Sequence, residues 1–247
     1  MARAFGCLAL LLSLLSAGGA AANPWPRAEG KGFVSLSAEG DRDGNSYVAL
    51  YGEYGLGARD TLGAELGRSS GRETSLMFWW QRALDDGQGP DRLALSLGTG
   101  LLARDGEYLP MLQIAAGWGR GFDALPLVEH IPGGGWLSAE ARLSVAGAMK
   151  DQAELHDLVA SDAGLLSYLT PETSAKAELT LGWHATESLM LINQFRFEER
   201  DDTGFASKLS ISAVHDLPGP VSLEAGLVAP LSGTGETALK IGTWLEF

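Results

Sequence analysis

The chain has 247 residues, with 31 Asp and Glu against 18 Lys and Arg, for a formal net charge of −13. So acidic a balance excludes nucleic acid as a natural partner. A lone cysteine, Cys7, rules out an internal disulfide framework, and the length suffices for one all-β domain with a sizeable core.

The chain opens with the marks of an export signal over 1–22. Met1–Arg3 supplies a positive start, Leu8–Leu15 an apolar run, and Ala20-Ala21-Ala22 a small-residue cleavage pattern. The run is shorter than the roughly 20 apolar residues a spanning helix needs. Cys7 precedes it, which is the wrong side for lipid modification. Without this leader, 17 bases face 31 acids and no cysteine remains. Residues 23–30 are expected to form a periplasmic N-terminal segment.

From Lys31 on, segments of about ten alternating residues are separated by clusters of Gly, Asp, Asn, Pro and Ser, the usual turn punctuation. The pattern predicts twelve strands, at 32–41, 45–57, 61–69, 73–83, 92–103, 108–120, 135–148, 174–185, 189–199, 204–215, 220–230 and 237–247. In WLSAEARLSV, Leu137, Ala139, Ala141, Leu143 and Val145 share one side, with Trp136, Ser138, Glu140, Arg142 and Ser144 on the other. AKAELTLGWH and VSLEAGLVA divide the same way. LMLINQFRFE is less clean, because Met190 and Ile192 fall on its polar parity and Asn193 on its apolar one. The last ten residues, ALKIGTWLEF, alternate to the final Phe247. A terminal strand frays unless something pairs with it.

A β-sandwich would also alternate, with its apolar face inside. Aromatics at matching strand ends favour the opposite arrangement. Trp118, Trp183 and Phe247, with Tyr54 and Trp80, would form a belt at one rim, and Phe195 and Phe197 would begin a belt at the other. Tight turns at 58–60 and 185–188 fall at one end, and the long connection 150–173 at the other.

The leader, the even strand count and the amphipathic strand closing on Phe247 resemble Gram-negative outer-membrane β-barrels. From NPWPRAEGKGFVSLS through GGWLSAEA to LKIGTWLEF, the chain is similar to barrel proteins of α-proteobacteria. The resemblance implies an up-and-down antiparallel transmembrane β-barrel over 31–247, with both termini periplasmic and the last strand paired to the first. It also implies residence in the bacterial outer membrane, contact with outer-membrane lipid and lipopolysaccharide, insertion by the barrel-assembly machinery, and a monomeric state.

In such a barrel the polar parity lines the interior. It carries Glu39, Glu53, Glu65, Glu140, Glu178, Glu198, Glu224 and Glu246, the bases Arg142, Lys176, Arg196, Lys208 and Lys240, and Gln81, Gln113 and Gln194. Cross-strand pairing is expected to set Glu140 and Arg142 near Lys176 and Glu178, and Arg196 and Glu198 near Lys208. A wet lumen of this kind would pass small polar solutes, with cations or neutral molecules favoured over anions. The competing reading is a closed barrel, sealed by interlocked charges and acting through the 150–173 loop, where DQAELHDLVA has the spacing of a short amphipathic helix. No catalytic, cofactor or metal site is read. His156-Asp157 with the acidic loop residues Asp41, Asp43, Asp201 and Asp202 resembles the omptin proteases only distantly, and no serine–histidine hydrolase motif is present.

Overall fold

The computed structural model describes residues 24–122, 134–149 and 169–247. They form twelve strands: β1 Gly32–Gly40, β2 Ser46–Gly55, β3 Asp60–Ser69, β4 Thr74–Ala83, β5 Asp91–Arg104, β6 Glu107–Phe122, β7 Gly135–Met149, β8 Leu169–Thr186, β9 Leu189–Arg200, β10 Gly204–Asp216, β11 Val221–Ser232 and β12 Ala238–Glu246. Each pairs antiparallel with its sequence neighbours, and β12 returns to β1, so the sheet is a closed barrel without an edge. At the seam Phe33 faces Glu246 and Gly40 faces Leu239. Gly32 and Phe247 exchange backbone hydrogen bonds of 2.7 and 3.0 Å. The terminal strand is thus held to its last residue.

Most strand ends shift by one or two residues from the sequence reading, the start of β8 shifts by five, and two of these shifts have a clear cause. β5 and β6 extend to a two-residue turn at Asp105-Gly106, where φ is 51° and 90°. Such a turn needs positive φ at both positions, which Asp tolerates and Gly adopts freely. β8 begins at Leu169 rather than 174, because Pro171 sits opposite Gly147 without breaking the pairing. The helix expected near 151–160, and the leader, lie outside the described residues.

The barrel is amphipathic in the inverted sense. Leu36, Leu50, Leu97, Leu143, Ile211 and Ile241, from strands all around it, point outward and are each about half exposed or more. An outward-facing apolar band with polar side chains inside is the pattern of a barrel solvated by lipid. At the end carrying both termini, a repeated device marks the edge of that band. Trp80 Nε1 donates to Asp60 Oδ1 (3.1 Å), and Arg82 pairs with the same carboxylate (3.2 Å). One hairpin along, Trp118 Nε1 donates to Asp91 Oδ1 (3.1 Å), and Arg120 pairs with that carboxylate (2.6 Å). An indole ring facing lipid with its N–H turned to a charged group suits a lipid–water boundary. Tyr54, Phe195 and Phe247 are exposed on the exterior, while Trp183 and Phe197 share the outward parity and are half-buried.

Candidate functional site: the lumen and its floor

Inside the barrel lies a cavity of about 1230 Å³ that, among the described residues, reaches the turns at the end away from the termini. Thirteen of the sixteen interior residues read from the sequence line it. They are Glu39 on β1, Glu65 on β3, Gln113 on β6, Glu140 and Arg142 on β7, Lys176 and Glu178 on β8, Gln194, Arg196 and Glu198 on β9, Lys208 on β10, Glu224 on β11 and Lys240 on β12. Glu53 and Gln81 also face inward but are buried below the cavity, near the terminus end, and Glu246 does not line it but lies 3.7 Å from Arg27 at that end.

The register places these charges differently from the expected pairs. Glu140 stands directly opposite Glu178, and Arg142 opposite Lys176. Like charges in register repel, so the ion pairs form along or across the grid. Arg142 binds Glu140 on its own strand. Lys176 binds Glu198 on β9 (3.1 Å), and Lys240 binds Glu224 on β11 (2.6 Å). Arg196 is not matched to Lys208, its register neighbour; it reaches Glu39 on β1, four strands round the barrel, at 2.8 Å. Among the described residues Lys208 has no carboxylate within salt-bridge distance.

A second tier of ion pairs crosses the mouth. Glu73, in the β3–β4 turn, accepts from Arg104 at the end of β5 (2.7 Å) and from Arg200 at the end of β9 (3.0 Å). Arg104 also reaches Glu172 (3.0 Å), and Arg200 reaches Asp202 (2.8 Å). The hydrogen bond from Arg200 and the two guanidinium charges hold the Glu73 carboxyl below its ordinary 4.5, against the opposing effect of burial. A lowered folded-state value means that the tie contributes fully above the unfolded carboxyl's range and is lost as pH falls through the folded value. Amide hydrogen exchange in the 70–73 turn should therefore accelerate in acid, beyond the intrinsic pH effect. In Glu73→Gln that extra acceleration should vanish; finding it unchanged would remove Glu73 from the tie.

The acidic loop residues are otherwise engaged. Asp41 caps its own turn by accepting from the backbone N–H groups of Asp43 (3.0 Å) and Asn45 (2.9 Å). Asp201 accepts from Thr173 N–H and Oγ1 at 2.6 and 2.8 Å. The Asp41 partners belong to its own turn and the Asp201 partner to β8, and His156 lies outside the described residues.

Sequence reasoning missed the floor. Residues 24–30 do not hang from the barrel; they cross its interior at the terminus end as a strap. Pro24 is fully buried. Trp25 packs on Trp136, Met190, Ile192 and Val214, a cluster contributed by β7, β9 and β10. Arg27 is held at the other wall: its backbone N–H donates to Thr61 Oγ1 (3.0 Å), its Nε to Glu53 Oε2 (2.6 Å), and its guanidinium lies 4.5 Å from the Phe33 ring centroid. Glu29 then bridges Gly55. Two glycines make room. A Cβ on Gly119 would overlap the Trp25 ring and come within 2.8 Å of Pro24 Cδ, and one on Gly55 would strike the Ala28 carbonyl. Above the strap, Trp244, Phe33, Tyr51 and Trp79 form a chain of ring contacts with centroids 5.3–6.2 Å apart. Met190 and Ile192, the exceptions to the alternation of β9, are inward-facing because this floor is dry.

No family model and no curated protein sequence matches the chain. The fold does have relatives of known structure. The chain is similar to the NanC porin at 9% identity, with a TM-score of 0.55 over 86% of this chain and 98% of that one. It is similar to the COG4313 outer membrane channel from Pseudomonas putida F1 at 12% identity, with a TM-score of 0.55 over 93% and 100%. It is also similar to the KdgM porin, at 8% identity and a TM-score of 0.50 over 87% and 99%; a further structure holds that porin in complex with disordered oligogalacturonate. The likeness is one of fold, a closed antiparallel barrel of the kind built by outer-membrane porins. The narrower likeness to α-proteobacterial barrels finds no support in these comparisons.

Proposed function

We propose that the protein is a monomeric outer-membrane channel that passes small polar solutes, with the barrel ends carrying the termini on the periplasmic side. The observation that carries this reading is the inversion of polarity: lipid-compatible side chains outside, and a charged cavity of about 1230 Å³ inside. A sealed structural barrel has no use for so large a charged space. The likeness in fold to porins and an outer membrane channel supports the same reading.

Among the described residues, the cavity lining has thirteen carboxylates and eight bases, a net of −5. Rings of charge select by sign, so cations and neutral solutes fit better than a polyanion such as the oligogalacturonate held by the KdgM porin. Arg196 and Glu39, paired across the lumen, give the passage a transverse field suited to dipolar molecules. The test is a planar-bilayer recording under a KCl gradient. The reversal potential should take the sign of cation preference. Anion preference would overturn the selectivity, and absence of current from both the native protein and a form lacking residues 24–29 would overturn the channel.

A further inference from the structure

The strap closes the terminus end of the lumen, yet the wall behind it is not built for permanent dryness. Thr61, Gln81, Ser96, Ser138 and Ser212, contributed by β3, β4, β5, β7 and β10, point inward there and are buried. Among the described residues, both amide atoms of Gln81 and the indole nitrogen of Trp136 have no hydrogen-bond partner. Unmet buried polar groups are costly, and water would satisfy them. A plug meant to stay would be expected to rest on apolar side chains, as Trp25 does on one side only.

The strap is also separable from the barrel. Apart from the Glu29–Gly55 bridge it contributes nothing to a strand pairing, and Pro24 and Pro26 keep it extended without internal hydrogen bonds. Closure of the sheet begins beyond it, at the Gly32–Phe247 pair. Gly30 lies between the two with φ at 75° and open space around its Cα, so it can act as the pivot. Withdrawal would break the Arg27–Glu53 and Arg27–Glu246 pairs, the backbone hydrogen bonds to Thr61 Oγ1 and the Gly55 carbonyl, the Arg27–Phe33 contact and the Trp25 contacts, while leaving all twelve strands paired. It would also give water to Glu53, which is buried only while the end is closed.

We propose that residues 24–30 are a displaceable gate: seated, they separate the charged cavity from the terminus end; withdrawn, the polar wall behind them becomes wet and the lumen is continuous. The inference rests on the channel reading and deepens it. Trp25 and Arg27 are the latch, and the inward-facing Gly55 and Gly119 are the notches that receive the strap.

Bilayer recordings on full-length protein test the gate, in a Cys7→Ser background. Gly119→Leu keeps every strap residue but fills the notch under Trp25, and should raise the mean current about tenfold or more. Arg27→Cys/Glu53→Cys places two thiols at the latch. A short bis-methanethiosulfonate, which forms a mixed disulfide with each thiol and releases methanesulfinate, should silence the channel, and reduction of those disulfides should restore it. Current that is insensitive to cross-linking would mean that solutes pass a seated strap, which overturns the gate and leaves the channel standing. If only deletion of 24–29 conducts, with the native protein and Gly119→Leu silent, the strap is a fixed plug and the gate is again overturned. If the deletion is silent too, the channel reading fails and takes the gate with it. Should Gly119→Leu not fold, as judged by its heat-modifiable mobility, Trp25→Ala carries the same expectation.

Discussion

Leu143→Arg should lose about 2–4 kcal/mol of stability in a bilayer, the cost of a basic side chain near the midplane of a barrel's lipid face. Leu143 lies near the middle of β7, between Ile114 on β6 and Ala175 on β8, and is 56% exposed on the exterior. The residue before it, Arg142, is already an arginine. It faces the lumen, where it lines the cavity and pairs with Glu140. One step along the strand therefore separates a tolerated charge from an intolerable one, and only a barrel with lipid outside makes that difference. Leu143→Met serves as the control and should cost little. Urea titration of the folded fraction in lipid vesicles measures both. Equal midpoints for Leu143→Arg and Leu143→Met would place the exterior in water and remove the membrane reading.

That contrast was readable from the sequence, because period-two alternation is a local property. WLSAEARLSV sorts itself onto two faces without reference to any other part of the chain, and each of the twelve predicted strands overlaps an observed one. What alternation does not carry is level. Which charge stands beside which depends on register, set by turns such as Asp105-Gly106 and on the closure of the whole sheet. So Glu140 meets Glu178 rather than Lys176, and Arg196 finds Glu39 across the lumen, 157 positions away in sequence. The strap was less legible still. Pro24–Gly30 has no periodicity, and its docking depends on distant residues. Its trace lay on the other side of the contact. Trp136, Met190, Ile192, Val214 and Trp244 are apolar residues on the polar parity of four strands, all near one end of the barrel. A run of inward-facing apolar side chains at one level of a polar lumen indicates a dry floor.

The depth of that dryness separates two ion pairs that look alike in sequence. Lys240→Met should destabilise the barrel by about 3–5 kcal/mol, the usual result of stranding one member of a buried pair. The Glu224 side chain is only 3% exposed and Lys240 11%, their charged atoms are 2.6 Å apart, and Trp244 Nε1 is the remaining donor to Glu224 at 3.2 Å. Lys176→Met also deletes a lysine bound to a glutamate, but Lys176 and Glu198 are 52% and 38% exposed, so the expected loss is about 0–1 kcal/mol. Adding Glu224→Gln to Lys240→Met should recover most of the loss, since an amide can keep the Trp244 hydrogen bond without a buried charge. Lys240 lies on β12, opposite Glu39 on β1, so the loss should fall on the seam that closes the barrel and speed its opening in denaturant. Chemical denaturation of the native protein and the three variants in vesicles decides the matter. If Lys240→Met and Lys176→Met cost the same, Glu224 is hydrated in the native state. Water would then reach the level just above the strap, and the boundary between wet lumen and dry floor would lie lower than Trp244.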